Sequence, residues 1–204
     1  MLQDIRKGLL FQQIITDCRK AGYDISFKIL NASNYGIPQK RERVFIVGFR
    51  TDLKIHYRFP KISDALVPLK LVLEDVIDER YYFSEKAVQG MKNANKMFNK
   101  GRAQDIEQPC NTLSSHLAKV SLNGTDPVLL VDAEKERYRR FTPLEAQRIQ
   151  SFPDSFQFPV SEYQAYRQIG NAIPPLLMWH VTQSVISALE KGKVFEKKRE
   201  LQGA

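Results

Sequence analysis

Two arginines separated by a single residue form the most chemically distinctive group in this sequence of 204 residues. They lie in Gln39-Lys40-Arg41-Glu42-Arg43, and each guanidinium can donate several hydrogen bonds in one plane to an anion or a polar ring. Taken alone, the run is also typical of an exposed turn of mixed charge. Its flanks favour a functional site, because Tyr35-Gly36-Ile37-Pro38 precedes it and the apolar run 44–49 follows it.

The sequence has two cysteines, and one of them, Cys110, lies in Pro109-Cys110-Asn111. A reactive cysteine needs a neighbour that lowers its pKa, and the surrounding sequence indicates none. Cys110 and Cys18 do not form a CxxC pair, so we expect no disulfide framework. The spacing of His56, His116 and His180 is not that of metal ligands, so we also expect no metal.

The elements that must position these residues alternate between helices and strands in the first quarter of the chain. Residues 3–21 carry apolar side chains at helical spacing, and residues 24–30 have the pattern of a strand. The nearly continuous apolar run 44–49 predicts a strand buried on both faces. Between about residues 52 and 138 the apolar segments are short, with a helix predicted at 85–98, and we interpret this stretch as a smaller inserted domain.

Capping signals predict three helices in the last quarter. Thr142-Pro143-Leu144-Glu145 is a capping box with proline at the first helical position. Ser161 and Gln164 form a weaker box for a second helix, which Gly170 should close. Pro174-Pro175 opens a third helix to about residue 190. Its expected apolar face consists of Leu177, Val181, Val185, Ala188 and Leu189.

Three segments together resemble the bacterial cytosine-5 DNA methyltransferases. Residues 30–48, with Gln39-Lys40-Arg41-Glu42-Arg43 before a strand, resemble the eighth motif of that family. Residues 140–154, which contain the capping box, resemble the ninth motif. Gln168-Ile169-Gly170-Asn171-Ala172-Ile173-Pro174-Pro175 resembles the tenth. Three matches in the right order are specific, whereas one alone would be weak.

The resemblance implies an α/β fold, namely the C-terminal part of a class I, Rossmann-like methyltransferase sheet with a small inserted target-recognition domain. Residues 1–54 and 139–192 would belong to the catalytic domain, residues 55–138 would be the recognition domain, and residues 193–204 a charged tail. The family's Gly-rich cofactor loop, Pro-Cys-Gln nucleophile loop and Glu-Asn-Val segment do not occur in this sequence. Pro109-Cys110-Asn111 resembles that nucleophile loop, but we reject Cys110 as the nucleophile, because it follows the eighth motif whereas the family's nucleophile precedes it.

The resemblance also implies roles for individual residues. Members of the family add a cysteine thiolate to C6 of a flipped cytosine and transfer the methyl group of S-adenosylmethionine to C5. Arg43 would contact the flipped cytosine, while Arg41 and Gln39 would order the active-site loop and the neighbouring phosphate. Asn171 with Gly170 would approach the pocket of the S-adenosylmethionine co-substrate. Alternatively, Gly170-Asn171 is only a helix stop.

Charge and apolar content bear on partners and location. The net charge is +8, from 31 basic and 23 acidic residues, which suits double-stranded DNA although many basic proteins bind none. No run approaches the roughly 18 apolar residues of a membrane span, and the start is not a signal peptide, so we expect a cytoplasmic protein without a membrane partner. Candidate DNA contacts are Lys92, Lys96, Lys100, Arg102 and Lys119.

A sheet that lacks its first strands leaves an edge and an apolar face exposed. We therefore expect this chain to pair with an N-terminal methyltransferase half as a separate chain, or with a second copy of itself. The assembly would be a DNA (cytosine-5-)-methyltransferase, of the kind found in bacterial restriction-modification, and this chain alone would be inactive. Two alternatives are an inactive truncated remnant and a non-catalytic DNA-binding module.

Overall fold

The structure is a computed structural model that describes residues 8–63, 66–93, 102–118 and 126–202, without the side chains of residues 93 and 193–202. The helices are α1 (Leu9–Lys20), α2 (Glu85–Asn93), α3 (Pro143–Ile149), α4 (Glu162–Asn171) and α5 (Pro175–Gln202). The strands are β1 (Tyr23–Asn31), β2 (Gln39–Lys40), β3 (Glu42–Arg50), β4 (Cys110–Asn111), β5 (Leu129–Asp132) and β6 (Arg137–Arg139).

The chain divides into two compact units. The first unit is Met1–Leu30, Glu42–Ile62 and Trp179–Ala204, and the second unit is Asn31–Arg41 and Ser63–Met178. This grouping does not follow the boundaries that the sequence predicted, because residues 139–178 share a compact unit with the inserted stretch. The assignment of residues 55–138 to DNA recognition stays a prediction.

The first unit contains α1, a hairpin of β1 and β3, and most of α5. The carbonyl of Gly22, which has φ of 87°, accepts hydrogen bonds from the Thr51 amide (2.9 Å) and hydroxyl (3.0 Å). The end of β3 therefore lies beside the start of β1, and the two paired strands run antiparallel. The predicted helix and strand in residues 3–31 are confirmed for α1 and β1, while residues 1–7 lie outside the described part of the chain.

The prediction that residues 44–49 form a strand buried on both faces is wrong for this chain. Phe45 and Phe49 are buried, but Ile46 between them is 38% exposed. Side chains alternate between the two faces of a strand, and the described residues cover only the face that carries the two phenylalanines. The large apolar side chains left exposed in α1, β1 and β3 are Leu9, Leu10, Tyr23, Phe27, Ile29 and Ile46.

The second unit has a core built from all of its major segments. Tyr166 of α4 is buried against Phe141, whose carbonyl accepts a 2.6 Å hydrogen bond from the tyrosine hydroxyl. Short parallel pairing of β2 with β4 and antiparallel pairing of β5 with β6 surround this core. The buried cluster consists of Leu69, Cys110, Leu113, Leu117, Leu129, Phe141, Ala146, Ile149, Tyr166 and Ile169.

The predicted helix starts in the last quarter are confirmed. The Thr142 hydroxyl accepts from the Glu145 amide (3.1 Å) and the Glu145 carboxylate accepts from the Thr142 amide (2.9 Å), which is a complete capping box. Ser161 caps α4, and α5 begins at Pro175. However, α4 continues through Gly170 to Asn171, so the prediction that Gly170 closes it is wrong. Leu189 is exposed, contrary to its expected place on the apolar face of α5.

A buried ion pair joins β6 to α3. The Arg139 guanidinium donates two hydrogen bonds, of 2.6 and 2.7 Å, to the two oxygens of Glu145, and both side chains are almost fully buried. The Glu74 amide donates a further bond of 3.0 Å to the same carboxylate. Because the buried carboxylate has donors on both of its oxygens, the pair tolerates burial that would otherwise be costly.

Replacing one residue of this ion pair should reveal the cost of burying the other residue's charge alone. Glu145→Gln leaves the Arg139 guanidinium buried without an opposite charge, so the free energy of unfolding should fall by about 3–5 kcal/mol. Urea denaturation followed by circular dichroism measures it. Glu136→Gln, which breaks the exposed pair with Lys92, is the matched control and should cost less than about 1 kcal/mol. Equal losses for the two variants would contradict the structural role of Glu145.

Candidate active-site region

The side-chain amide of Gln39 lies wholly inside the second unit. Its Oε1 accepts a hydrogen bond from the Leu113 amide at 3.2 Å. Its Nε2 donates to Gln150 Oε1 at 2.5 Å and to the Ile149 carbonyl at 3.3 Å. One buried amide thus ties the segment before Arg41 to the segment after Cys110 and to the end of α3.

Gln150 extends this connection to α4. Its Nε2 donates to the carbonyls of Ile169 and Ala172 at 2.8 and 2.7 Å, and its side chain is fully buried. The sequence marked Gln150 only as a member of a motif and gave no role to it. A glutamine directly after the apolar Ile149 gives no signal of burial, so the sequence alone could not have identified this role.

Arg41 is also buried, with 2% of its surface exposed. Its Nη1 donates to the Leu113 carbonyl and its Nη2 to the Gly170 carbonyl, both at 2.9 Å. The predicted ordering role fits these contacts. The predicted phosphate contact does not, because the guanidinium lies in the interior and is directed at main-chain carbonyls.

Gly170 is packed too closely to be a ligand contact. A Cβ added there would lie 2.1 Å from the Ser114 carbonyl oxygen, and the Gly170 carbonyl already accepts from Arg41. Its predicted place in the cofactor site is therefore corrected to one of close packing. Asn171, the last residue of α4, is exposed and remains sterically available to a ligand.

Arg43 differs from Arg41 in its surroundings. It lies near the start of β3 in the first unit and is partly buried, and its Nη1 donates to the Glu42 carbonyl at 2.7 Å. Burial lowers the pKa of the guanidinium below its usual value, while the group stays cationic at neutral pH. Among the residues that the structure describes, no carboxylate pairs with it. The Arg43 guanidinium is thus a cation that no carboxylate of the described residues neutralises.

The residues predicted to contact DNA differ in their surroundings in the structure. Arg102 is buried, with its Nε donating to the Asp126 carbonyl at 3.0 Å, and burial lowers the pKa of its guanidinium. Its assignment to DNA contact is therefore corrected, since an interior guanidinium does not face a duplex. Lys92 is exposed and forms a 2.5 Å ion pair with Glu136. Lys96, Lys100 and Lys119 lie outside the described residues.

Cys110 lies in the apolar core of the second unit with no exposed surface. Desolvation strongly raises the pKa of its thiol, which disfavours the thiolate that a nucleophile needs. The rejection of Cys110 as nucleophile agrees with this environment. Within the described ranges, no cluster of three or more histidine, cysteine or acidic residues is placed to bind a metal ion, and no helix there has the length and apolarity to cross a membrane.

Solved structures with the same arrangement define the class of fold. A methyltransferase from Entamoeba histolytica superposes with a TM-score of 0.70 at 18% identity, over 91% of this chain and 60% of that one. A DNMT2 mutant from Spodoptera frugiperda gives 0.70 at 16% identity, over 92% and 64% of the two chains. At these identities the likeness shows the fold alone, which is the α/β fold of the methyltransferases.

The family follows from sequence similarity. The model of the family "C-5 cytosine-specific DNA methylase" matches residues 1–187, and the chain belongs to that family. The type II methyltransferase M.NlaX of Neisseria lactamica is 35% identical over 90% of this chain and 59% of its own length. M.DsaV of Dactylococcopsis salina is 33% identical over 94% and 56%. The chain thus spans a little over half the length of these relatives, and the resemblance seen in the three motifs is confirmed.

The tight packing at Gly170 makes a direct prediction. Gly170→Ala should lower the free energy of unfolding by about 3 kcal/mol, because the backbone of Ser114 cannot move aside cheaply. Differential scanning calorimetry measures the change. Gly192→Ala is the control, since its Cβ would meet side-chain carbons of Ile55 at 3.0 and 3.4 Å rather than backbone, and alanine favours the helix by about 1 kcal/mol. A Gly170→Ala protein as stable as the control would refute the close approach.

Proposed function

We propose that this chain forms part of a DNA (cytosine-5-)-methyltransferase of a restriction-modification system, and that Arg43 binds the target cytosine. The observation that carries this proposal is the environment of Arg43. It is a partly buried guanidinium with no carboxylate partner in the described part of the chain, within a segment that the family match covers. Arginines that serve only the fold here, such as Arg41 and Arg139, have their donors committed to interior acceptors.

The chemistry explains why an uncommitted guanidinium is useful. C5 of cytosine is a poor nucleophile, and it becomes enamine-like only after a thiolate has added to C6. Negative charge develops on the ring as that bond forms. Arg43 would donate to the cytosine O2 and stabilise this charge, and a partly desolvated donor does so more strongly than one in water. The cytosine must first leave the duplex, so the arginine also replaces a hydrogen bond that the base made to its pairing partner.

S-adenosylmethionine supplies the methyl group in this scheme. Asn171 fits a contact with it, because its amide is exposed at the end of α4. Gly170 does not fit, since its carbonyl and its α-carbon are both occupied by other parts of the second unit. Of the two predicted residues, only Asn171 is therefore proposed to contact S-adenosylmethionine.

The nucleophile is proposed to come from an N-terminal methyltransferase half that carries a Pro-Cys-Gln loop. Two observations support this partner. The chain spans 59% and 56% of the lengths of two relatives, and the first unit exposes large apolar side chains on α1, β1 and β3. A second copy of this chain would cover apolar surface but would bring only another Cys110 and Cys18, neither of which lies in a Pro-Cys-Gln loop, so the N-terminal half is the better occupant.

Double-stranded DNA is the proposed substrate, and residues 55–138 are proposed to contribute to its recognition. The net charge of +8 supports a polyanionic partner. Arg102 no longer belongs among the direct contacts, and Lys92 would have to exchange its bond to Glu136 for one to a phosphate.

The role of Arg43 can be tested in the assembled enzyme. Arg43→Ala should lower methyl transfer by about 100-fold or more, which is the usual effect of removing one donor to developing charge. Transfer of labelled methyl groups to duplex DNA, measured in a mixture with the N-terminal half, gives the rate. A gel-shift titration of the same mixture should show DNA affinity changed by less than about threefold, since a flipped base supplies little of the duplex affinity.

Arg50→Ala is the matched control on the same strand. Arg50 is exposed and paired with Asp52 at 2.8 Å, so its loss should leave methyl transfer within about twofold of the wild type. If Arg43→Ala retains the activity of the control, Arg43 is not part of the site and the proposal loses its main support.

A further inference from the structure

A basic segment with a regular alternation follows β3 in the first unit. Lys54, His56 and Arg58 are exposed, whereas the residues between and after them, Ile55, Tyr57 and Phe59, are partly buried. Lys61 continues the exposed row after Pro60. Lys54 has φ of 48° and follows a short 3₁₀ turn, and residues 55–61 belong to no helix or strand. We name the exposed residues Lys54, His56, Arg58 and Lys61 the basic ridge.

Helix α5 anchors the inner side of this segment. Ile55 lies against Gly192, at 3.0 Å from the position that a Cβ would take there. The Tyr57 hydroxyl lies 2.8 Å from the Ser184 hydroxyl, about two helical turns earlier. The Tyr57 ring also packs on Phe49 and Phe59, with centroids 5.8 and 4.9 Å apart. The ridge therefore runs along α5 on a fixed base, which reduces the entropy that its side chains lose on binding.

The charges of the ridge are not neutralised. No aspartate or glutamate occurs between residues 53 and 63, and within the described residues neither Lys54, Arg58 nor Lys61 has an ion-pair partner. Some other exposed cations of the chain do have one, for example Arg50 with Asp52, Lys70 with Glu107 and Lys92 with Glu136. Lys20, Lys28 and Lys191 are exposed cations that also lack an ion-pair partner within the described residues.

We propose that the basic ridge binds the phosphate backbone of duplex DNA without reading its sequence, an inference that rests on the proposed function. A group of exposed cations, on a segment that is anchored to α5 and has no carboxylate between residues 53 and 63, suits the phosphates of a duplex. Each phosphate that a lysine or arginine neutralises releases a condensed counterion, and this release supplies affinity that is the same for every sequence. The ridge thus positions the duplex, while base recognition resides elsewhere in the chain.

Salt dependence tests the ridge directly. The triple variant Lys54→Gln, Arg58→Gln, Lys61→Gln removes three permanent charges and keeps the anchoring Tyr57 and Phe59. The slope of log K against log salt concentration should become shallower by about 2–3, at about 0.9 per phosphate contact. Affinity at about 0.15 M salt should fall by tenfold or more, equally for a duplex of random sequence and for one methylated by the assembled enzyme.

The control variant Lys20→Gln, Lys28→Gln, Lys191→Gln removes the same charge from other exposed positions of the first unit. It should shift the slope by less than about 1, because its effect is only that of net charge. Thermal unfolding of both variants should match the wild type, since exposed substitutions seldom change stability by more than about 0.5 kcal/mol.

Three outcomes would overturn the ridge as a DNA contact. These are equal slopes for the ridge and control variants, a loss confined to one DNA sequence, and absence of salt-dependent DNA binding by the wild type. Methyl transfer by the assembled wild-type enzyme is measured in parallel. If the assembled wild-type enzyme transfers methyl groups but the ridge variant binds DNA as the wild type does, the ridge is rejected and the proposed function stands. If the assembled wild-type enzyme transfers no methyl groups, the result counts against the proposed function itself.

Discussion

The second unit depends on the buried guanidinium of Arg41 more than on any other single group. Its two donated bonds, to the carbonyls of Leu113 and Gly170, join the segment before β3 to the segment after Cys110 and to the end of α4. Burial of a charge is costly unless hydrogen bonds offset the cost, so loss of either carbonyl contact would destabilise the second unit. Gly170 in turn must lack a side chain, because its α-carbon lies directly against Ser114.

Gln39 and Gln150 complete this arrangement with neutral groups. Together with Arg41 they connect parts of the chain that resemble three separate motifs of the family, through buried hydrogen bonds rather than through apolar packing alone. Such a network specifies one geometry, because each amide has its partners only in that geometry. The motif residues of this chain therefore divide into those that hold the scaffold, such as Gln39 and Arg41, and Arg43, which keeps its charge available.

Local signals in the sequence predicted the elements well. The capping box at Thr142 and Glu145, the start of α5 at Pro175 and the strand that became β1 all depend on residues within a few positions of one another. The partners of Gln39 and Arg41 were beyond prediction, because they lie 72 to 129 residues away and periodicity carries no information at that separation. Arg102 was misassigned because a basic residue in a polar stretch gives no sign of burial. Ile46 was expected to be buried because its pattern describes a complete sheet, whereas exposure depends on what covers the strand.

We propose that this chain supplies the arginine that binds the target cytosine and that the nucleophile comes from an N-terminal half. The decisive measurement is transfer of labelled methyl groups from S-adenosylmethionine to duplex DNA by a mixture of the purified chain with an N-terminal half that carries a Pro-Cys-Gln loop. Transfer is expected in the mixture and with neither chain alone. Transfer by this chain alone would contradict the proposal, because one of its own cysteines, the buried Cys110 or Cys18 of α1, would then have to act as the nucleophile.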